Sequence, residues 1–440
     1  MMLSGWGRFP RQECRVRRPR TEDDLRVLVA EGRLIARGNG RAYGDSALSR
    51  TNTVDMRAFN RMIAFEAETG QLTIEAGVLL EDVITTFLPR GWFPPVTPGT
   101  KFVTIGGMVA ADVHGKNHHK HGSFGSFVDW IDVMGANGKV LRCSCEAYPE
   151  LLEWTIGGMG LTGVILRAAF RLQPVETGWI RQTLQVAPNL DAAMAAFEAA
   201  DEATYSVAWI DCMSMGAALG RSLIILGEHA AREELKPDKR ARPFDIPGKR
   251  KLAVPFDAPS FVLNSLTVRA FNALYYRQGV KGAGESLVDW DSYFYPLDAV
   301  LGWNRIYGRK GFAQFQCVLP LESSRAGLQA LLQATGKAGQ GSFLAVLKRL
   351  GAQESRFSFP MEGYTLALDF PVNRRSLALL QELDRITIEH GGRFYLAKDS
   401  RMTPETLRQS DPRVEPFLKM REENNNSNTF ASAQSERLQL

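Results

Sequence analysis

Arg37-Gly-Asn-Gly-Arg-Ala-Tyr-Gly-Asp-Ser46 is the stretch on which the reading of this 440-residue chain turns. Its glycines, at 38, 40 and 44, leave consecutive backbone N–H groups exposed. Converging amides of this kind hold anions such as a pyrophosphate. The spacing is not the Gly-x-Gly-x-x-Gly that opens a dinucleotide-binding helix, and no Gly-Lys-Ser/Thr follows, so it is not a nucleoside-triphosphate loop either. On these residues alone the stretch is either an anion cradle or a plain turn between strands. Upstream, Leu34-Ile-Ala-Arg37 reads as a short strand running into the turn. Residues 21–31 read as a helix, with Thr21 as its N-cap and acids in its first turn.

Working outward, Thr53–Met56, Met62–Glu66 and Gln71–Ala76 read as strands, and Leu80–Leu88 as a helix closed by Pro89 and Gly91. Trp130–Met134 and Val140–Arg142 pair across Asn137-Gly138, a strong hairpin signal. Leu161–Leu172 is a further strand region. Between them, Val96–Gly125 holds six Gly and four His and reads as an unusually long loop. It contains Thr97-Pro-Gly-Thr100, Thr104-Ile-Gly-Gly107 and His114-Gly-Lys-Asn-His-His119. His118, His119 and His121 are either metal ligands, with poor spacing, or surface residues. His114 is the stronger site candidate.

Beyond Pro174 the texture changes. Strands are expected at Ile180–Val186, Ser206–Asp211, Ser222–Leu226, Gly311–Leu319, Phe343–Leu350 and Tyr364–Phe370. Helices are expected at Leu190–Ala200, Glu322–Thr335 and Arg375–His390. The order suggests an antiparallel sheet covered by helices. Residues 231–260, basic and Pro-containing, read as a mobile loop, and Glu422–Asn428 as a polar loop. In Tyr395-Leu-Ala-Lys-Asp-Ser-Arg401, strand alternation puts Tyr395, Ala397 and Asp399 on one face and Lys398 on the other. That lysine is a snorkelling surface residue or a buried base.

Composition narrows the class. Hydrophobic residues make up 45% and charged residues 23%, which excludes a disordered, collagen-like or coiled-coil chain. The net charge of +5 is diffuse and argues for no nucleic-acid partner. No apolar run is long enough for a transmembrane helix and the N-terminus has no apolar core, so no secretory signal is expected. Five cysteines form no even framework and no zinc spacing, consistent with reduced thiols in a cytoplasmic protein and no metal.

Taken together, the motifs resemble the FAD-dependent oxidoreductases of the vanillyl-alcohol oxidase type. Within them the chain is most similar to the branch of decaprenylphosphoryl-β-D-ribose oxidases, the flavin subunits of the ribose-to-arabinose epimerase. The resemblance runs over nearly the whole chain. It begins at Ser4-Gly-Trp-Gly-Arg8 and runs through Arg37–Ser46, Pro98-Gly-Thr and His114-Gly-Lys-Asn-His-His. Further on come Gly122-Ser-Phe-Gly125, Gly160-Leu-Thr-Gly163, Trp303-Asn-Arg, Tyr307-Gly and Ser342-Phe-Leu. It closes with Asp369-Phe-Pro371, Ala397-Lys-Asp-Ser-Arg401 and Phe430-Ala-Ser432.

The resemblance implies an α+β, two-domain fold. Residues 1–175 would bind FAD, 176–392 would form an antiparallel-sheet substrate domain, and 393–440 would return to the FAD domain. Ala36, Arg37, Gly38, Asn39, Gly40, Arg41, Ala42, Tyr43, Gly44, Asp45 and Ser46 would line the cofactor. So would Gly99, Thr104, Ile105, Gly106, Gly107, His114, Gly115, Lys116, Asn117, Ile165 and Tyr395. Many relatives carry a flavin-linking His where Asp45 stands, so a non-covalent FAD is expected. Lys398 matches the family's active-site lysine and His114 a residue against flavin and substrate. Trp6, Lys116, Trp209, Tyr293, Gln316, Lys348 and Thr365 match substrate-pocket positions. Mycobacterial members have Cys at Ala367 and Asn at Thr365, and other relatives Phe at Leu350, which changes the pocket wall without removing the chemistry.

The implied reaction is oxidation of the 2′-hydroxyl of a polyprenylphosphoryl-β-D-ribose to the 2′-keto sugar, the first half of epimerisation to the arabinose form. The alternative is oxidation of a soluble alditol or aldonolactone, or of another polyprenylphosphoryl sugar. A separate NAD(P)H-dependent short-chain reductase would finish the inversion, and a quinone or oxygen would reoxidise the flavin. A peripheral position on the inner face of the cell membrane, through residues 231–260, would suit such a substrate.

Overall fold

The computed structural model describes residues 1–248, 251–259 and 262–440. The N-terminal half is built on two sheets. In the smaller, Val16–Arg17, Asn52–Asp55 and Leu34–Arg37 run parallel, with Asn52–Asp55 in the middle. The helix Glu22–Ala30 packs beside it and opens on a capping box: Thr21 accepts from the Asp24 N–H while Asp24 accepts from the Thr21 N–H. The larger sheet is antiparallel in the order Val140–Ser144, Val128–Met134, Val164–Arg171, Gln71–Glu75, Met62–Glu66. The first two strands form the hairpin expected around Asn137-Gly138, with Gly138 at φ 72°.

The second half is one antiparallel sheet of eight strands. Its order is Gly284–Asp289, Trp179–Ala187, Ser222–His229, Tyr205–Ile210, Val346–Leu350, Gly363–Pro371, Phe312–Pro320, Arg393–Phe394. Helices Leu190–Ala199, Leu321–Ala338 and Arg374–Glu389 cover one face. Phe315, Cys317, Leu319, Tyr364, Leu366, Leu368 and Phe370 point into that buried layer against Leu328, Leu331, Leu379 and Leu383. The alternate residues of the same strands must therefore face the other way, and they include the polar Gln314, Gln316, Thr365 and Asp369 beside Ala367 and Val318.

The chain after 396 folds back onto the N-terminal half. Ala431 N–H donates to Leu34 O, and the Arg437 guanidinium reaches Asp45. The edge strand Arg393–Phe394, expected with the returning segment, is part of the large sheet.

Four expectations need correction. Tyr395–Arg401 is not a strand. Lys398 and Asp399 N–H donate to Tyr395 O, and the Asp399 carboxylate accepts from the N–H groups of Arg401 and Met402. The aspartate's local hydrogen bonds build a turn there, so the alternation argument fails. The tail is not a loop: Val414–Glu423 and Asn426–Thr429 are helical, and Asn425 joins them at φ 56°. Val96–Gly125 contains two short helices, Ile105–Ala110 and His118–His121. Finally, residues 231–246 are anchored, with Leu235 buried, Lys239 over the Trp179 ring and Gly178 N–H donating to Pro243 O. The helix Ser265–Lys281 follows, which the sequence pattern did not announce.

Candidate active site

A cavity enclosing about 1970 Å³, counted to its open side, lies between the two halves. One wall is glycine-rich backbone: Gly38–Tyr43, Pro98–Thr100, Val103, Thr104, Gly106 and Gly107. The loops of this wall are stacked closely. A Cβ on Gly38 would stand 2.1 Å from Thr104 Oγ1, so only glycine lets the two approach. Thr104 in turn caps the helix Ile105–Ala110 through its bond from Gly107 N–H. Asn39 donates to Phe102 O at 2.8 Å, fixing the loop from the other side.

The opposite wall is the uncovered face of the large sheet. Register brings its residues together: Gln314 is opposite Asp369, Gln316 opposite Ala367, Ala367 opposite Val346, and Thr365 opposite Lys348. All of these line the cavity. Gln314 donates to Asp369, and Gln316 donates to Thr365 Oγ1 at 3.2 Å and to His114 Nε2 at 3.1 Å. Because His114 Nε2 accepts, its proton sits on Nδ1, and that nitrogen is buried without a protein partner. Burial, with Lys348, His118 and Lys398 nearby, pushes the His114 pKa well below its ordinary value, so the ring is neutral.

Lys398 enters from the Tyr395–Arg401 turn, its ammonium 3.6 Å from the centre of the Tyr43 ring. Burial lowers its pKa from the usual lysine range and Lys348 adds to this, while Asp369 opposes it. Burial raises the Asp369 carboxyl, with Gln314 and Lys398 opposing. Burial also lowers Lys348, to about 8. The cavity thus gathers two lysines with depressed pKa values, a neutral histidine and a carboxyl with a raised one, a grouping of the kind found at sites of proton transfer.

The turn carrying Lys398 is fastened to the glycine loop. Tyr43 N–H donates to Ala397 O at 2.9 Å, and a Cβ on Gly44 would fall 2.0 Å from Asp399 O. Arg437 bridges the two, reaching Asp45 at 2.7 Å and Asp399 at 2.8 Å. Gln434 donates to Leu396 O and to the Asp399 carboxylate. Burial raises the Asp45 carboxyl against its Arg437 pairing. At Asp399 burial is more than offset by Arg437 and the N–H groups of Arg401 and Met402, and the carboxylate is held below its usual value.

Of the sequence candidates, the structure places Trp6, Ala36, Gly38–Tyr43, Ser46, Gly99, Thr104, Gly106, Gly107, His114 and Ile165 on the cavity. Gln316, Lys348, Thr365, Tyr395 and Lys398 join them there. Others lie behind its wall. Arg37 donates to Ser4 O and Ala47 O. Gly44 and Asp45 face the C-terminal turn and Arg437, and Ile105 is buried in the core. Gly115 and Asn117 form a support in which Asn117 donates to Pro95 O at 2.8 Å. Lys116 donates to Tyr293 O and sits 4.0 Å over the Tyr293 ring, so both are taken up with each other. Trp209 donates to Phe343 O at 3.1 Å, beside the cavity residue Leu344. His118 has both nitrogens engaged, by Gly351 N–H and Gln353, and His119 bonds Ala203 O at 2.7 Å. Among the described residues no group of His, Cys, Asp or Glu is arranged to hold a metal. Sequence reasoning missed Asp369, Gln314, Asp298 and Arg437. Alternation from Thr365 was the signal for Asp369.

The comparisons agree with this geometry. A family described as FAD binding domain matches residues 15–144. Decaprenylphosphoryl-beta-D-ribose oxidase of Mycolicibacterium smegmatis is 36% identical, with 100% of this chain and 97% of that protein covered. The chain belongs to this family of FAD-dependent oxidoreductases. An uncharacterized protein of Streptomyces coelicolor is 32% identical over 82% of the chain and all of its own length. L-gulonolactone oxidase of Mus musculus is 28% identical, over only 35% of the chain. The cavity fits FAD. Gly99 has nothing within 4 Å of a would-be Cβ, and two buried donors of cavity residues, Arg41 Nε and His114 Nδ1, lack protein partners.

Removing Arg437 leaves two buried carboxylates without their counter-charge, an uncompensated state that costs about 3–5 kcal/mol. Arg437→Ala is expected to lower the melting temperature and to weaken FAD retention. Asp45→Asn in the same chain should restore part of both. Strictly additive losses in this double-mutant cycle would show that the pair does not couple.

Proposed function

We propose that this flavoenzyme oxidises the 2′-hydroxyl of a polyprenylphosphoryl-β-D-ribose to the 2′-keto sugar, the first half of epimerisation to the arabinose form. The observation that carries the reading is Lys398. It is a depressed lysine facing Gln316, Thr365, Lys348 and Asp369 across a cavity whose far wall is glycine backbone. Full-length similarity to an oxidase of that substrate class supports it. FAD, when bound, supplies the hydride acceptor.

The chain supplies the rest. Gly38–Tyr43, Gly99, Gly106 and Gly107 would hold the cofactor through backbone amides. Lys398, neutral at its depressed pKa, takes the proton of the 2′-hydroxyl. Lys348 and Asp369 set its charge, and Lys348 is placed to meet the substrate phosphate. Lys116 is not, because its ammonium is spent on Tyr293 O. His114, fixed by Gln316, offers an Nδ1–H to the ligand. In this reading residues 1–175 with 393–440 hold the cofactor and 176–392 shape the substrate end. A separate NAD(P)H-dependent short-chain reductase takes the keto product, and a quinone or oxygen reoxidises the flavin. The place of action is the membrane's inner face. Among the described residues no helix is long and apolar enough to cross a membrane.

Lys398→Ala should keep FAD bound yet abolish substrate-dependent bleaching of the flavin in single turnover. In the unmutated enzyme the bleaching rate should fall as pH drops through the depressed Lys398 pKa, because the base becomes protonated. Full bleaching by the variant, or a rate that rises on acidification, would remove Lys398 from the role. Asp45 has no nucleophilic nitrogen and is occupied by Arg437, so acid precipitation should leave the yellow colour in the supernatant. Colour in the pellet would contradict non-covalent binding.

A further inference from the structure

The cavity-side face of the large sheet continues past the cavity. The row Gln316, Ala367, Val346 extends through Trp209 to Leu223, each opposite the next across neighbouring strands. Over this end lies the helix Ser265–Lys281. Gly279 packs on Leu223, where a Cβ would meet Leu223 Cδ1 at 2.2 Å, and the Tyr275 ring lies tilted at 4.9 Å from Trp209. Phe271 meets Phe343 at 5.6 Å, and Phe343 adjoins the cavity residue Leu344. The inward side of the helix is therefore Val268, Asn272 and Gly279.

Its outward side does not look like the surface of a soluble protein. At helical spacing the opposite face reads Leu266, Ala270, Leu274, then Arg277 and Lys281. Leu266 is 75% exposed and Leu274 58%. The helix holds no acidic residue. Arg269, Arg277 and Lys281 make no ion pair with any described residue. The chain leading into the helix adds exposed Leu252 and Phe256, and Leu301 is exposed on the strand paired with Leu252. The acid near this stretch, Asp257, is taken up by Arg8 and Arg305. Elsewhere the exposed large apolar residues stand scattered: Val27, Ile63, Tyr148 and Leu321. A surface helix ordinarily turns polar residues to water. An apolar stripe flanked by unpaired cations and free of acids is the pattern of a helix lying in a lipid interface.

We propose that the outer face of the Ser265–Lys281 helix, with exposed Leu266 and Leu274 and the cations Arg277 and Lys281, docks the enzyme on an anionic lipid bilayer. The surface differs from residues 231–246, which are packed down on the protein. Its purpose rests on the reading of a lipid-linked substrate: it would set the cavity next to the membrane that holds the polyprenyl chain. Its test does not depend on that reading.

The test is co-sedimentation of the full-length FAD-loaded enzyme with phosphatidylcholine vesicles, with and without phosphatidylglycerol. The enzyme should sediment with the anionic vesicles and be released by salt. Leu266→Glu/Leu274→Glu, both exposed positions, should weaken that binding by at least about tenfold. Its circular dichroism and flavin spectrum should stay those of the parent, and Ile63→Glu should bind as the parent does. Equal binding by the double variant would overturn the proposal. So would a lack of vesicle binding together with a dimer that the double variant loses, which would assign the face to a second copy of the chain. If anionic vesicles bind but polyprenylphosphoryl ribose is not oxidised, the docking surface stands and the substrate reading falls.

Discussion

Arg437 sits between two buried carboxylates, Asp45 at the end of the glycine loop and Asp399 next to Lys398. Without the guanidinium their like charges, in a poorly solvated setting, would push the two segments apart. With it, the turn Tyr395–Arg401 is held on the glycine loop that runs into Asp45. The position of Lys398 follows from that join. Gly44 lets the backbones touch, the Tyr43 N–H bonds the turn, and Lys398 Nζ lies over the face of the Tyr43 ring.

The other half of the site comes from the period of a strand. One face of the large sheet must be apolar to bury helices Leu321–Ala338 and Arg374–Glu389. Every second residue then faces the glycine wall, and among those residues are Gln314, Gln316, Lys348, Thr365 and Asp369. Burial lowers the pKa values of Lys348, Lys398 and His114, and the Lys348 charge adds to the effect at Lys398 and His114. Asp369 limits the effect at Lys398. The same burial that depresses the Lys398 pKa makes it sensitive to each charged neighbour.

Much of this was legible in the sequence. The capped helix at Thr21, the Asn137-Gly138 hairpin and the helix-covered antiparallel sheet came from local chemistry and periodicity, and the structure shows them. The glycine loop was quoted first and forms a cavity wall. What failed did so for physical reasons. Lys398 was read on a strand because its neighbours alternate, but Asp399 bonds its own backbone and makes a turn. Lys116, Tyr293 and Trp209 carry the right chemistry for a pocket yet lie behind its wall, where Lys116 bonds the Tyr293 carbonyl and Trp209 that of Phe343. The helix Ser265–Lys281 escaped because its apolar residues lie outward as well as inward, so no clean 3.6-residue stripe marks it. Arg437 lies nearly the whole chain away from Asp45, and one sequence gives no means of pairing them.

The central claim is that a buried lysine in this cavity draws the proton from a lipid-linked ribose while FAD takes the hydride. It is tested most directly by an anaerobic titration of the purified enzyme, following the flavin absorbance. Polyprenylphosphoryl-β-D-ribose should bleach the band, and soluble alditols and aldonolactones should leave it unchanged. Bleaching by alditols or lactones, with none by the lipid-linked sugar, would contradict the account and move the enzyme to soluble substrates.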